Sequence, residues 1–202
     1  VTPAEALAAV DPALGALISR VGPIKLSRPD NPEPYAALMH SIAHQQLHGR
    51  AAEAILGRLR AHHGGTMPAP EFLLAMEDTA LRGCGFSGGK ILALRDIALK
   101  AMNGVIPTRA QARRLSDEAL IERLTTIRGV GRWTVEMLLI FSLNRKDVFP
   151  VDDFGVREGY RLIHKLSAQP KPKAFALLGQ AYAPHRSLAA RYLWKAADLK
   201  GK

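Results

Sequence analysis

The chain has little cysteine, few aromatic residues and a deficit of negative charge, and each shortage removes a class of explanation. A single cysteine, Cys84, among 202 residues leaves no intramolecular disulfide framework and no four-cysteine zinc or iron–sulfur centre. Apolar stretches stop short of the roughly 18 residues that a membrane span needs. The Val1-Thr2-Pro3 start has neither the charged nor the apolar region of a signal peptide. An intracellular protein with no membrane partner is the expectation. Aromatic residues make up 6% of the chain, with two tryptophans, so a binding surface built on π-faces has few places to come from. Acidic residues number 18 against 28 Lys and Arg, a formal net charge of +10. That excess suits a polyanionic partner whose counterions are released on binding, although basic charge also serves solubility alone.

Hardly any segment alternates as a half-buried strand would. Apolar residues recur instead at spacings of three and four, the mark of helices. Pro and Gly divide the chain into about ten helical segments. The first is Asp11–Val21, with Asp11 as cap, Pro12 in the first turn and Gly22-Pro23 as stop. Pro34–His48, Gly49–His63, Pro70–Met76, Asp78–Arg82 and Gly88–Asn103 follow. Then come Ser116–Ile127, Gly131–Asn144, Asp152–Leu166, Pro172–Tyr182 and Pro184–Leu199. Ser27–Pro34 reads as a proline-rich linker. The expected fold class is all-α.

The most informative stretch runs from Leu124 to Leu139, where one helix ends at Ile127 and the next begins near Gly131 across Gly129-Val130-Gly131. Glycines allow a tight turn and close backbone approach. The N–H groups opening the second helix carry its positive dipole end and suit a phosphate of any sequence context. Arg128 and Arg132 flank them, and Ile127, Val130, Leu138 and Leu139 supply the packing of a paired hairpin.

This segment resembles the helix-hairpin-helix motif. Its continuation, Asp147-Val-Phe-Pro-Val-Asp-Asp-Phe-Gly-Val-Arg157, resembles the Gly/Pro-rich loop and aspartate of the helix-hairpin-helix DNA glycosylase superfamily. The match looks closest to the DNA-3-methyladenine glycosylase II (alkylation-repair) branch, in a short form without the N-terminal β domain of some members. Three features carry that choice: Trp133 after Gly-Val-Gly-Arg, the paired aspartates after Phe-Pro-Val, and the closing Pro184-His-Arg-Ser-Leu-Ala-Ala-Arg-Tyr-Leu-Trp194. Ile42-Ala-His-Gln-Gln-Leu47 also looks like that branch's helix-end loop.

The resemblance implies two helical lobes flanking a DNA-binding cleft, one formed by 1–36 with 147–202 and the other by 37–146, with the hairpin at about 120–142. It implies a monomeric, monofunctional glycosylase acting on double-stranded DNA that contains damaged bases, cytoplasmic and nucleoid-associated in a bacterium or archaeon. The bases would be alkylated ones such as 3-methyladenine and 7-methylguanine. Asp153 falls at the catalytic position, and Trp133, Trp194 and Met137 at the walls of the base pocket. Gln45, Gln46 and Leu47 form the wedge that fills the hole left by the flipped base, and Gly129, Val130, Gly131, Arg132 and Thr134 bind phosphate. No cofactor is implied beyond a monovalent cation on the hairpin carbonyls of Thr125, Ile127 and Gly129.

The chemistry fits these residue types. Breaking an N-glycosidic bond builds positive charge on the deoxyribose, and a preorganised carboxylate beside it stabilises the transition state more than the ground state. At about 4 Å and an effective dielectric near 20 the attraction is about 4 kcal/mol, roughly a thousandfold in rate. Asp152 would cap the following helix, leaving Asp153 in the first turn, where the helix dipole favours its ionised form. Two cap residues with no catalytic role are the plainer alternative. An electron-poor alkylated ring stacks on aromatic faces, whereas two core tryptophans are the plain reading of Trp133 and Trp194. Bifunctional relatives carry a lysine nucleophile where this chain has Trp133, so no Schiff base is expected.

His40, His44 and His48 share one helix face at spacing four. No carboxylate ligand is evident beside them, which favours a solvated or DNA-facing stripe over a metal site. Gly85–Lys90 reads as a loop or as a second phosphate-holding helix start. The competing functions are a non-catalytic helix-hairpin-helix DNA-binding module and a glycosylase for another lesion class.

Overall fold

The computed structural model describes residues 1–24 and 32–200. Thirteen α-helices and one 3-10 turn, with no strand, make up the regular structure of the described residues. In chain order they are α1 Pro3–Val10, α2 Pro12–Val21, α3 Pro34–His44, α4 Gly49–Ala61, α5 Pro70–Ala75, α6 Asp78–Cys84 and α7 Gly88–Met102. They continue with α8 Arg109–Ala112, α9 Asp117–Leu124, α10 Arg132–Phe141, α11 Phe154–Ile163, α12 Pro172–Leu178, the 3-10 turn Gly179–Tyr182 and α13 Arg186–Lys200. The all-α expectation holds.

Helix starts follow local chemistry. Ser116 accepts from Ala119 N at 3.2 Å to open α9, and Ser87 opens α7 in the same way. Two helices escaped the apolar periodicity, α1 and α8, and both begin with a capping box: Thr2 with Glu5, and Thr108 with Gln111. Several helices end earlier than apolar spacing suggests. The segment expected to run to His48 stops at His44, because Gln45 leaves the helical region (φ −56°, ψ 126°) and Gln46 follows with a left-handed φ of 56°. Of the expected linker Ser27–Pro34, positions 27–31 lie outside the described residues.

The chain divides into two compact units, Val1–Pro29 with Leu139–Lys202, and Asp30–Leu138. The second boundary falls inside α10 rather than near residue 147, because the chain between Phe141 and Asp153 is held to α13, as described below.

In the first unit, Leu7, Leu14, Leu17, Phe149, Val156, Tyr160, Phe175, Tyr182 and Leu193 form one buried cluster. Each large side chain removed from water contributes about 1.5–3 kcal/mol. α11 and α13 approach so closely that a Cβ on Gly159 would lie 1.9 Å from Leu193 O. In the second unit the core comes from Leu38, Met39 and Ile42 of α3, Ile55, Leu56 and Leu59 of α4, and Ile91, Leu94 and Ile97 of α7. Arg95 fastens α7 to α5, donating to Leu73 O at 2.6 Å and Leu74 O at 2.7 Å.

Asp11 is the polar knot of the first unit. Its Oδ1 caps α2 by accepting from Ala13 N and Leu14 N at 3.0 and 3.1 Å. Its Oδ2 accepts from Tyr182 Oη at 2.6 Å and pairs with His164 Nε2 at 3.0 Å. Burial pushes this carboxyl up, but the hydrogen bonds from Tyr182, Leu14 and His164 outweigh it and leave it below the ordinary carboxylate value. The unfolded chain therefore takes up that proton more readily than the folded one. The resulting stabilisation is complete above the ordinary value of 3.8 and is lost as pH falls through the lowered folded value. Asp11→Ala is expected to lose about 1–3 kcal/mol at pH 7. Urea unfolding of both proteins from pH 7 down to pH 2 checks this: the gap narrows in acid, and a pH-independent gap contradicts the assignment.

Candidate active site

The carboxylate of Asp153 is the centre of the arrangement in the first unit. Asp153 N donates to Pro150 O at 3.0 Å, closing a turn that contains Val151 and Asp152. Helix α11 can start only after this turn, so Asp153, not Asp152, is its N-cap, and Asp152 is exposed. This corrects the expectation that Asp152 caps and Asp153 sits in the first turn. Asp153 Oδ1 accepts from Val156 N at 2.8 Å and from the indole Nε1 of Trp194 at 2.8 Å. The residue is 8% exposed. Two of the residues read from the sequence, Asp153 and Trp194, are thereby in direct contact.

Several residues that apolar spacing did not single out hold this pair. Arg186 grips Asp147 in a bidentate pair, Nε to Oδ1 at 2.8 Å and Nη2 to Oδ2 at 2.9 Å. The Arg186 guanidinium also holds the Asp147 carboxyl below the usual range. Ser187 Oγ accepts from Val148 N at 2.9 Å, and Ser187 N donates to Lys146 O at 3.0 Å. The start of α13 is thus stitched to the loop leading into Asp153, and the same helix delivers Trp194. Phe141 backs the indole at a centroid distance of 5.4 Å, and the Arg191 guanidinium lies over Phe141 at 4.7 Å. Gly155 makes room for the contact: a Cβ there would meet Trp194 Cδ1 at 2.8 Å and Asp153 Oδ1 at 3.2 Å.

The remaining predicted residues lie in the second unit. Gly129 takes φ 76°, and its missing Cβ faces Ala93 and Ile42, each at 3.4 Å, so both conformation and space favour glycine. Gly131 has open space around its Cβ position. Ile127 and Val130 are buried, and Asp96 Oδ2 accepts from Arg128 N at 2.7 Å, fixing the turn. The first-turn N–H groups of α10 have no intrahelical acceptor. The Arg132 guanidinium is engaged by two carboxylates, bidentate to Glu118 at 2.9 and 3.0 Å and to Glu136 at 3.1 Å. The Thr134 side chain is buried. Trp133 is 46% exposed and Met137 is half-buried on α10.

The loop after α3 is pinned to the hairpin. Gln45 Nε2 donates to Gly129 O at 2.9 Å, which makes Gln45 an anchor rather than part of a wedge. Lys90 Nζ donates to Ala43 O at 2.8 Å, and burial lowers the Lys90 ammonium from its ordinary value. The Gly85–Lys90 stretch therefore uses its cation on the end of α3, not on a phosphate. Gln46 and Leu47 stand exposed at the tip. Of the hairpin carbonyls, Ile127 O accepts from Val130 N at 3.1 Å and Gly129 O from Gln45 Nε2 at 2.9 Å. The histidine stripe needs correction. His48 lies beyond the end of α3, and His40 and His44 both pair with a carboxylate, Glu53 of α4.

A hairpin with a pinned glycine turn, followed by a loop that delivers a buried aspartate to a helix start, defines a class. The chain belongs to the HhH-GPD superfamily of base excision DNA repair proteins, which matches residues 39–184. It is 47% identical over 185 residues to DNA-3-methyladenine glycosylase 1 of Schizosaccharomyces pombe, covering 91% of this chain and 81% of that protein. Its fold matches the S. pombe 3-methyladenine DNA glycosylase Mag1 in complex with abasic DNA, with a TM-score of 0.91, 44% identity and coverage of 100% and 99% of the two chains. A DNA-3-methyladenine glycosidase from Bacillus halodurans superposes with a TM-score of 0.88 at 34% identity, over 100% of this chain and 91% of that one.

The Asp153–Trp194 contact is testable without any substrate. Gly155→Ala places a methyl group against an indole already backed by Phe141, overpacking expected to cost about 1–3 kcal/mol. With Trp133→Phe as background, the single indole N–H resonance of Trp194 should shift upfield on Gly155→Ala as its bond to Asp153 is lost. An unmoved resonance contradicts the geometry.

Proposed function

We propose that the chain is a monofunctional DNA glycosylase of base excision repair that hydrolyses the N-glycosidic bond of alkylated bases such as 3-methyladenine and 7-methylguanine, with Asp153 as catalytic carboxylate. The observation that carries the reading is a buried aspartate whose Oδ1 is fixed by a helix-start N–H and the Trp194 indole N–H. A carboxylate so held needs no reorganisation when charge develops beside it, which is where electrostatic catalysis gains most. Family membership and the 47% identity to a protein named as a 3-methyladenine glycosylase support the same conclusion.

The reaction follows from the residues. As the bond from the base to the sugar carbon lengthens, its electron pair leaves with the base and positive charge grows on the deoxyribose. Asp153 stabilises that charge and orients a water molecule, whose oxygen forms the new bond to the sugar carbon and whose proton passes to solvent. An alkylated purine already carries positive charge and departs readily, so one carboxylate suffices. Trp194 has two roles: positioning Asp153 through its N–H and offering a π-face to the extruded base. Trp133 and Met137 are assigned to base stacking. Gln46 and Leu47 form the wedge, and the backbone N–H groups of Gly129, Gly131, Arg132 and Thr134 hold phosphate, whereas Val130 N donates to Ile127 O at 3.1 Å and only shapes the turn. The carbonyls of Thr125, Ile127 and Gly129 would hold a monovalent cation, neutral oxygen donors suiting a hard ion. No described helix is long and apolar enough to cross a membrane, and the place of action is the cell's DNA, in a bacterium or archaeon the nucleoid.

Asp153→Asn is the sharp test, because asparagine caps a helix about as well as aspartate. Release of 3-methyladenine and 7-methylguanine from methylated DNA should fall by roughly a thousandfold, with the thermal midpoint and lesion-DNA affinity nearly unchanged. Activity retained in Asp153→Asn but lost in Asp152→Asn moves the assignment to the neighbouring residue. Inactive wild-type protein that still binds duplex DNA points to the non-catalytic alternative.

The monofunctional reading has its own measurement. A lyase forms a Schiff base between an amine and the sugar carbon, and the place for that amine is occupied by Trp133. Borohydride present during turnover should trap no protein–DNA adduct, and the strand should stay whole until hot alkali is added. A trapped adduct that persists when surface lysines are replaced overturns the hydrolytic mechanism.

A further inference from the structure

Helix α3 places His40 and His44 one turn apart on a single face. Their rings stack with centroids 4.0 Å apart and planes inclined by 21°. Both Nε2 atoms meet the same oxygen, Glu53 Oε1 on α4, at 2.8 and 3.0 Å. One ligand atom from each of the three residues lies within 4.8 Å of the others. The far carboxylate oxygen, Oε2, faces Arg60 Nη2 at 3.4 Å.

We infer that His40, His44 and Glu53 form a binding site for a divalent transition-metal ion, zinc in the first instance, that ties α3 to α4. Zinc bonds of roughly 2.0–2.2 Å to nitrogen and oxygen put neighbouring tetrahedral ligand atoms about 3.4 Å apart. The ion takes the place of the imidazole protons, and small side-chain rotations bring the three donors onto it. Two imidazoles with one carboxylate suit zinc, cobalt and nickel; magnesium and calcium prefer all-oxygen sets, and soft monovalent copper prefers sulfur. Water completes the fourth position. Arg60 keeps Glu53 turned so that Oε1 alone faces the ion, the outer contact that commonly orients a ligating carboxylate. The side chains of His40, His44 and Glu53 are 39%, 30% and 48% exposed, so an ion enters directly from solvent.

The location gives the site a consequence. α3 and α4 flank Gln45–His48, so an ion bridging them closes the short loop that carries Gln46 and Leu47. A closed loop has less conformational freedom to lose when it orders against a partner. The site stands apart from the glycosylase reading, because the ion binds without DNA.

Chelator-treated protein titrated with zinc chloride by calorimetry at pH 7.5, and with cobalt(II) by visible absorption, tests the inference. One saturable site is expected in the wild type, with a cobalt band of four-coordinate intensity. Affinity should fall at least about tenfold in His40→Gln, His44→Gln and Glu53→Gln. Zinc should raise the thermal midpoint of the wild type and not of these variants. All three positions are partly exposed, and metal-free midpoints establish that each variant folds. His62→Gln with His63→Gln, the other adjacent histidine pair, should leave binding unchanged. Absence of a saturable site, unaltered affinity in the three variants, or loss only in the His62–His63 variant overturns the inference.

Discussion

One oxygen atom, Asp153 Oδ1, joins helix formation to site geometry. Its bond to Val156 N begins α11 and its bond to Trp194 Nε1 fixes the indole. A carboxylate that is merely near an aromatic wall can swing; one that also closes a helix cannot move without unmaking its first turn. The cap is worth about 1 kcal/mol to the fold, small beside core burial, but it selects a single position for the carboxylate. Everything around it serves that selection. Gly155 leaves space for the indole, Gly159 lets α11 and α13 approach at backbone distance, and Arg186 and Ser187 fasten the preceding loop to the helix that carries Trp194.

Backbone polar groups govern the second unit in a different way. Asp96 satisfies Arg128 N, Gln45 satisfies Gly129 O and Lys90 satisfies Ala43 O. Long basic side chains elsewhere do the same: Arg58 donates to Cys84 O at 2.8 Å and Arg123 to Val105 O at 2.6 Å. Such cations sit near helix ends, where they answer unpaired carbonyls and the negative end of the dipole. The net charge of +10 is therefore not all directed at a polyanion. Part of it holds loops in place, and Arg132 is further offset by Glu118 and Glu136. Only the remainder is left to face a polyanion.

The helices were legible because their apolar faces and caps are local in sequence, and the hairpin because glycine at Gly129 answers a conformation and a contact that other residues strain. Limits of that legibility are physical too. Asp152 and Asp153 are equal as helix formers, and only the turn closed on Pro150 decides which caps. Helix α3 ends short because Gln45 turns to ψ 126° and Gln46, which is not glycine, follows it left-handed, a pair of conformations that composition gives no reason to expect. Glu53 reaches His40 and His44 from another helix, so spacing along α3 alone left the histidines without a carboxylate. Arg186 and Ser187 were visible only as part of a resembling segment; their work is across the fold, on Asp147 and Val148. Gly155 was quoted within the loop motif, but its need for space depends on Trp194, which lies far along the chain.

The left-handed Gln46 is where these constraints meet. A side chain other than glycine in that conformation costs about 1–2 kcal/mol, and it persists only where its surroundings allow nothing else. Here the surroundings are explicit. Lys90 holds the Ala43 carbonyl near the end of α3, Gln45 is bonded to the hairpin, and His40 and His44 bind α3 to α4 through Glu53. The loop is consequently short, braced on three sides and exposed at its tip. The wedge role proposed for this tip asks for a side chain that does not fold back when pushed, because unstacking costs a few kcal/mol per step. A freely rotating loop would pay its own ordering entropy at the same moment. Strain stored at Gln46 and held by contacts on either side settles the ordering entropy of Gln46 and Leu47 during folding, before any partner is met.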